Sequence, residues 1–98
     1  MKVAIYPGSF DPITFGHMDI IERACGIFDK VILAVAESES KKPLFTLEER
    51  LGLTKSIYSD HPKIETVSFS RKLTVELARE HKACAIIRGL RAVADFEY

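Results

Sequence analysis

Charge of one sign has no excess in this chain: fourteen Lys and Arg stand against fourteen Asp and Glu, a formal net charge of zero. A neutral chain gains little from counterion release or an anionic surface, so neither bulk nucleic-acid binding nor membrane adsorption is expected. Local positive charge has to come from placement. No apolar run approaches the roughly 18 residues of a membrane span. Strand-like sequence begins at Val3, so a signal peptide is not expected either. Cysteine is scarce. Cys25 and Cys84 lie far apart in apolar segments with no CxxC spacing, a pattern that fits buried thiols in a reducing compartment and not a disulfide framework. A Walker A lysine pattern, a zinc-ligand cluster, a GxGxxG and a serine nucleophile elbow are all missing. His61 falls in a turn and His81 near a helix C-terminus, so neither reads as a site.

What remains is a short alternating pattern. With 98 residues, 47% of them apolar, the chain can form one domain with a modest core. By size scaling such a domain buries about 60–65% of its unfolded surface. Apolar runs at Val3–Tyr6, Val31–Ala36, Ile64–Phe69 and Ala83–Ile87 read as strands. Helical periodicity falls at about 17–28, 46–58 and 72–82. The order βαβαβαβ predicts an α/β fold, a mostly parallel sheet with helices on both faces. The runs at 31–36 and 83–87 lack alternation, as buried parallel strands do. Thr46-Leu47-Glu48-Glu49 is a capping box, with a buried stripe expected at Leu47, Leu51, Thr54 and Tyr58. Ser70 is the expected cap of the third helix, which puts Leu73 and Leu77 on one face. Asp60-His61-Pro62 reads as a turn.

The most informative stretch is Gly8-Ser9-Phe10-Asp11-Pro12-Ile13-Thr14-Phe15-Gly16-His17. It joins a strand to a helix through a glycine-bearing turn, which is the geometry of an anion site. The first amides of a helix lack partners, its dipole favours negative charge, and Gly8 and Gly16 let a backbone come close to a phosphate. His17 stands at that helix mouth, where a neutral imidazole can still donate to an oxygen gaining charge. Thr14 and Ser9 add hydroxyls. In an open α/β sheet ligands gather at the carboxyl ends of the strands. Those ends carry Gly8 to His17, then Ser38, Ser40, Lys41 and Lys42, then Ser70, Arg71 and Lys72, and finally Arg88, Gly89 and Arg91. Lysine offers a mobile point charge and arginine a planar fork for phosphate oxygens, so two phosphate-rich substrates fit this rim. A phosphate monoester is largely ionised near neutral pH, with a second pKa of about 6, and needs no protein base.

The string Gly-Ser-Phe-Asp-Pro-x-Thr-x-Gly-His resembles the signature of the HxGH and TxGH nucleotidyltransferases, Rossmann-like proteins akin to the class I aminoacyl-tRNA synthetases. Two further stretches narrow it: Lys41-Lys42-Pro43-Leu44-Phe45-Thr46-Leu47-Glu48-Glu49-Arg50 and Ile87-Arg88-Gly89-Leu90-Arg91-Ala92-Val93-Ala94-Asp95-Phe96-Glu97-Tyr98. Together the three are similar to the bacterial phosphopantetheine adenylyltransferase family along nearly the whole chain. The resemblance implies transfer of AMP from ATP to 4′-phosphopantetheine, giving dephospho-coenzyme A and pyrophosphate, with Mg²⁺, in a cytoplasmic homohexamer. It implies that His17 stabilises the transition state, assisted by Lys41 and Arg91. Ser9, Lys41, Leu73, Thr74 and Arg88 would bind the acceptor, and Gly8, Ser9, Phe10, Gly16, His17, Gly89, Leu90 and Arg91 would bind ATP.

Two departures accompany it. After Phe69-Ser70 the chain is one residue longer than the family pattern, which shifts the pantetheine contacts around Leu73 and Thr74. Family members also continue well past Phe-Glu-Tyr. The stop at Tyr98, inside a helix expected to begin near Ala92, reads as the end of an N-terminal portion, residues 1–98 of a single nucleotidyltransferase domain. Two alternatives stay open: a catalytically silent half-domain that keeps its phosphate-binding loops, and a related transferase with another acceptor, such as nicotinamide mononucleotide or glycerol phosphate.

Overall fold

Val31 to Val35 are five consecutive buried residues, so both faces of that strand are covered and it must run inside a sheet with helices above and below. The computed structural model describes residues 1–36, 44–69, 74–88 and 96–97. Eight elements follow in order: β1 (Val3–Gly8), α1 (Phe15–Cys25), β2 (Lys30–Ala36), α2 (Leu47–Tyr58), β3 (Ile64–Phe69), α3 (Thr74–Glu80), β4 (Ala85–Ile87) and β5 (Phe96–Glu97). The sheet order is β3-β2-β1-β4-β5. The first four strands are parallel, with Val3 opposite Lys30 and Val31 opposite Ile64.

The reversal of strand order at β1 decides which face each helix covers. Crossovers in such sheets are right-handed, so a helix reached while the chain steps one way lies on the opposite face from one reached while it steps back. Accordingly Ile21 and Ala24 of α1, with Leu47, Leu51 and Tyr58 of α2, pack on Ala4, Tyr6, Val31, Leu33, Val35, Ala85 and Ile87. Leu77 and Ala78 of α3 pack on Val3, Ile5, Ile32 and Ala34 of the other face. The expected α/β architecture, with helices on both faces, is what forms.

The structure departs from the expected pattern in several places. The first helix starts at Phe15, because Thr14 in an extended conformation caps it, and it ends at Cys25. The third helix, expected to reach 82, ends at Glu80, with its expected start at 72 outside the described residues, and the fourth strand, expected from Ala83, begins at Ala85. Ser70 and Leu73 lie outside the described residues. A helix running from Ala92 to Tyr98 is not found at Phe96–Glu97, which pairs antiparallel with β4, Glu97 opposite Ile86 and Phe96 opposite Ile87. The open edge of β4 offers unpaired backbone groups, and satisfying them outweighs the few tenths of a kcal/mol per residue by which these side chains favour a helix. Cys84 is exposed and Cys25 only half-buried, against the expectation of buried thiols. Cys84 sits at the mouth of β4, where its amide bonds Val3 O at 2.7 Å while its side chain faces outward. On α2 the expected stripe faces the sheet, with Thr54 buried and Leu47, Leu51 and Tyr58 partly covered, and Arg50, which was not expected there, is buried with it. The capping box forms as expected, with Glu49 N bonded to Thr46 Oγ1 at 3.1 Å and Thr46 N to Glu49 Oε1 at 3.0 Å.

Leu33 has no exposed surface. Leu33→Ala is expected to destabilise the fold by about 2–5 kcal/mol. Thr46→Ala, which removes one cap, should cost about 1 kcal/mol. Both are read from the urea midpoint at unchanged slope.

Candidate active site at the end of the first strand

β1 lies between β2 and β4, at the switch in strand order, so its carboxyl end opens onto the crevice where α/β sheets bind ligands. The chain leaves β1 through Ser9 to Thr14 and enters α1. Phe10 sits in the left-handed region, φ 46°, which is unusual for a bulky residue and strained by about 1–3 kcal/mol. Packing sustains it: the side chain is 2% exposed, edge-on to Tyr6 with ring centroids 5.2 Å apart and to His17 at 5.0 Å. Phe10 therefore backs the imidazole and presents no open stacking face. A Cβ at Gly8 would touch the Phe10 ring at 3.4 Å, and one at Gly16 would meet Thr14 Oγ1 at 3.6 Å. Neither contact is prohibitive within the chain, so the bareness of these positions matters only to something approaching from outside.

His17 is the third residue of α1, and its ring closes a second capping box. The amide of Thr14 donates to His17 Nδ1 at 2.9 Å, and Thr14 Oγ1 accepts from the His17 amide at 3.4 Å and lies 3.0 Å from Nδ1. An amide can only donate, so Nδ1 carries the lone pair and the ring proton of the neutral form sits on Nε2. Burial lowers the pKa of His17 below its ordinary value of 6.5. A half-buried neutral imidazole with one N–H is the result, which suits a donor to a phosphate oxygen.

Sequence reasoning missed the residues that hold this turn. Arg50, 2% exposed, donates from Nη1 to Ser9 O at 2.6 Å and Ala36 O at 2.7 Å, and from Nε to Phe45 O at 3.1 Å. Asp11 accepts from the amides of Leu44 and Phe45, both at 2.8 Å. A signal was present. Arg50 falls at helical spacing between Leu47 and Thr54 of the expected stripe, so its place on the buried face could have been read, although an arginine is rarely buried unless partnered.

Of the other expected residues, Ser9 is exposed in the turn and Arg88 is exposed immediately after β4, the other strand of the crevice. Thr74 opens α3. Lys41, Leu73, Gly89, Leu90 and Arg91 lie outside the described residues. Among the described residues no group of three or more His, Cys, Asp or Glu side chains could hold a metal, and no helix is long and apolar enough to cross a membrane. A hollow of about 240 Å³ lined by Lys55, Tyr58, Ser59, Ile64 and Thr66 lies between the end of α2 and the start of β3, away from His17.

Comparison with known proteins places the sequence and the fold. The chain is 55% identical over all 98 residues to a phosphopantetheine adenylyltransferase of Desulforudis audaxviator, and 59% identical over 95 residues to one of Nautilia profundicola. It spans about 60% of the length of these relatives. In solved structures, a lipopolysaccharide core biosynthesis protein of Thermoplasma volcanium shares the fold at TM-score 0.72 and 19% identity, over 90% of this chain and 74% of that one. The nicotinic acid mononucleotide adenylyltransferase of Plasmodium falciparum, complexed with NaAD, does so at TM-score 0.67 and 21% identity, over 83% and 45%. The cytidylyltransferase-like family model matches residues 5–98. With a Rossmann-like nucleotidyltransferase fold and a family match across almost its whole length, the chain belongs to the cytidylyltransferase-like family.

Proposed function

We propose that the complete protein is an adenylyltransferase that moves AMP from ATP to 4′-phosphopantetheine, yielding dephospho-coenzyme A and pyrophosphate. The observation that carries this reading is the Thr14 amide on Nδ1 of His17, which leaves the Nε2 proton as the one the ring can give. A terminal phosphate oxygen of the acceptor attacks the α-phosphorus of ATP, a new P–O bond forms, and the α–β bridging bond breaks. Pyrophosphate leaves with the electron pair, and no proton need move. Charge grows on the non-bridging α-oxygens as this happens. In this reading the Nε2–H of His17 meets that charge, aided by the first amides of α1 and by Lys41 and Arg91. The acceptor phosphate and pantetheine arm fall to Ser9, Lys41, Leu73, Thr74 and Arg88. ATP falls to Gly8, Ser9, Phe10, Gly16, Gly89, Leu90 and Arg91, with Phe10 acting by holding the imidazole.

The 53–59% identity to relatives that bear this enzyme name supports the choice of acceptor. A divalent ion, proposed to be Mg²⁺, would neutralise phosphate charge. Both oxygens of Asp11 are committed to amides, so the turn offers no ready ligand and the ion would ride on the nucleotide. A cytoplasmic homohexamer completes the proposal.

In the complete protein, His17→Ala is expected to lower turnover about 10²–10³-fold with little change in KM for ATP. His17→Gln keeps an acceptor for the Thr14 amide, so its melting temperature should stay near wild type while turnover falls. Pyrophosphate release that depends on 4′-phosphopantetheine is the assay; wild-type turnover in His17→Ala, or release driven equally well by nicotinamide mononucleotide or glycerol phosphate, overturns the reading.

The lowered pKa has a sign. The unfolded chain binds more protons than the folded one between the depressed value and 6.5, so the stability owed to neutral His17 is present above 6.5 and lost as pH falls through the folded value. Protonating Nδ1 also sets two donors face to face at Thr14. An NMR titration of the His17 ring should show a midpoint below 6.5 and the Nε2–H tautomer above it.

A further inference from the structure

Arg50 and Asp11 join the turn that carries His17 to the strand and helix beside it. The three carbonyls bound by Arg50 come from three segments: Ser9 from the β1–α1 turn, Ala36 from the end of β2, and Phe45 from the residue before the cap of α2. Asp11 closes the same junction from the turn, so Phe45 is gripped at its amide by Asp11 and at its carbonyl by Arg50. All three acceptors of Arg50 are neutral, and neither ion pair among the described residues, Arg23–Asp19 or Lys30–Glu65, involves it.

Simple bracing would not need this. A buried charge is costly to desolvate, and a well-packed apolar side chain of similar volume often stabilises as well or better. What a guanidinium adds is a rigid fork that sets several acceptors at fixed positions. The carbonyl it fixes most closely, Ser9 O at 2.6 Å, immediately precedes Phe10, whose strained backbone holds its ring 5.0 Å from the imidazole. A shift at Ser9 passes through Phe10 to His17.

We propose that Arg50 and Asp11 are positioning residues for His17, holding the β1–α1 turn so that the imidazole stays aligned with the reacting phosphate. The inference rests on the adenylyl-transfer reading for its substrate. Lysine at position 50 keeps the charge but not the fork. Asparagine at position 11 replaces one acceptor oxygen with a donor that faces an amide.

The test is a pair of double-mutant cycles in the complete protein, measuring kcat and KM for ATP in wild type, R50K, D11N, H17A, R50K/H17A and D11N/H17A. R50K and D11N should each lower kcat about 10- to 100-fold and leave KM within about threefold, as misplacement of a reacting group does. With His17 already removed, the same changes should cost less than about threefold, because the group they align is gone. Undiminished losses in the H17A background, or single variants with wild-type kcat, overturn the proposal. If R50K does not fold, as a thermal melt will tell, D11N decides on the same criteria; failure of both to fold assigns the pair to the fold alone and overturns it too. An unimpaired H17A sinks the role of His17 and this inference with it, whereas a slow H17A beside unimpaired R50K and D11N sinks the inference alone.

Discussion

The amide of Thr14 has no backbone partner in α1, as with every first amide of a helix, and it donates instead to Nδ1 of His17 at 2.9 Å. That bond sets where the helix begins, turns the ring toward its cap and leaves the remaining proton on Nε2. A glutamate or glutamine at the third helical position serves the same capping need in other proteins, including α2 of this one, where Glu49 does so. At α1 the cap is a titratable ring with a second nitrogen. Local folding and proton placement are here the same interaction.

Around this bond the chain assembles support in layers. Tyr6, on the central strand, and Phe10, in the turn, form an aromatic backing behind the imidazole, with Tyr6–Phe10 and Phe10–His17 both edge-on. Outside that lie the polar ties of Arg50 and Asp11, which connect the turn to β2 and α2. The strain held at Phe10 is sustainable only because its ring is enclosed from both sides.

The sequence made the architecture legible because each strand and helix carries its own period. Val31 to Val35 read as a buried strand without any knowledge of their neighbours, and Thr46 with Glu49 announced α2. Thr14, Gly16 and His17 were legible as a helix mouth because capping is local. What escaped was settled at a distance. Arg50 was not singled out, and its burial depends on carbonyls 14 and 41 residues away in the chain. The strand at Phe96–Glu97 follows from an unpaired edge that only the assembled sheet presents. Cys84 lay in an apolar segment, yet its exposure follows from where β4 surfaces, which no window of sequence reveals.

The sheet register gives the two banks of the crevice unequal stiffness. β1 is laddered to β2 from Val3 to Gly8, its full length, but among the described residues it is laddered to β4 only at Ala4 and Ile5. The His17 bank is thus tied along six residues of β2, while the Arg88 bank rests on a three-residue strand held by β1 and by the two residues of β5. Under the proposed reading, a polyanion bridging the gap would meet one long-laddered jaw and one short-laddered jaw, and any local opening would fall first on the β4 side.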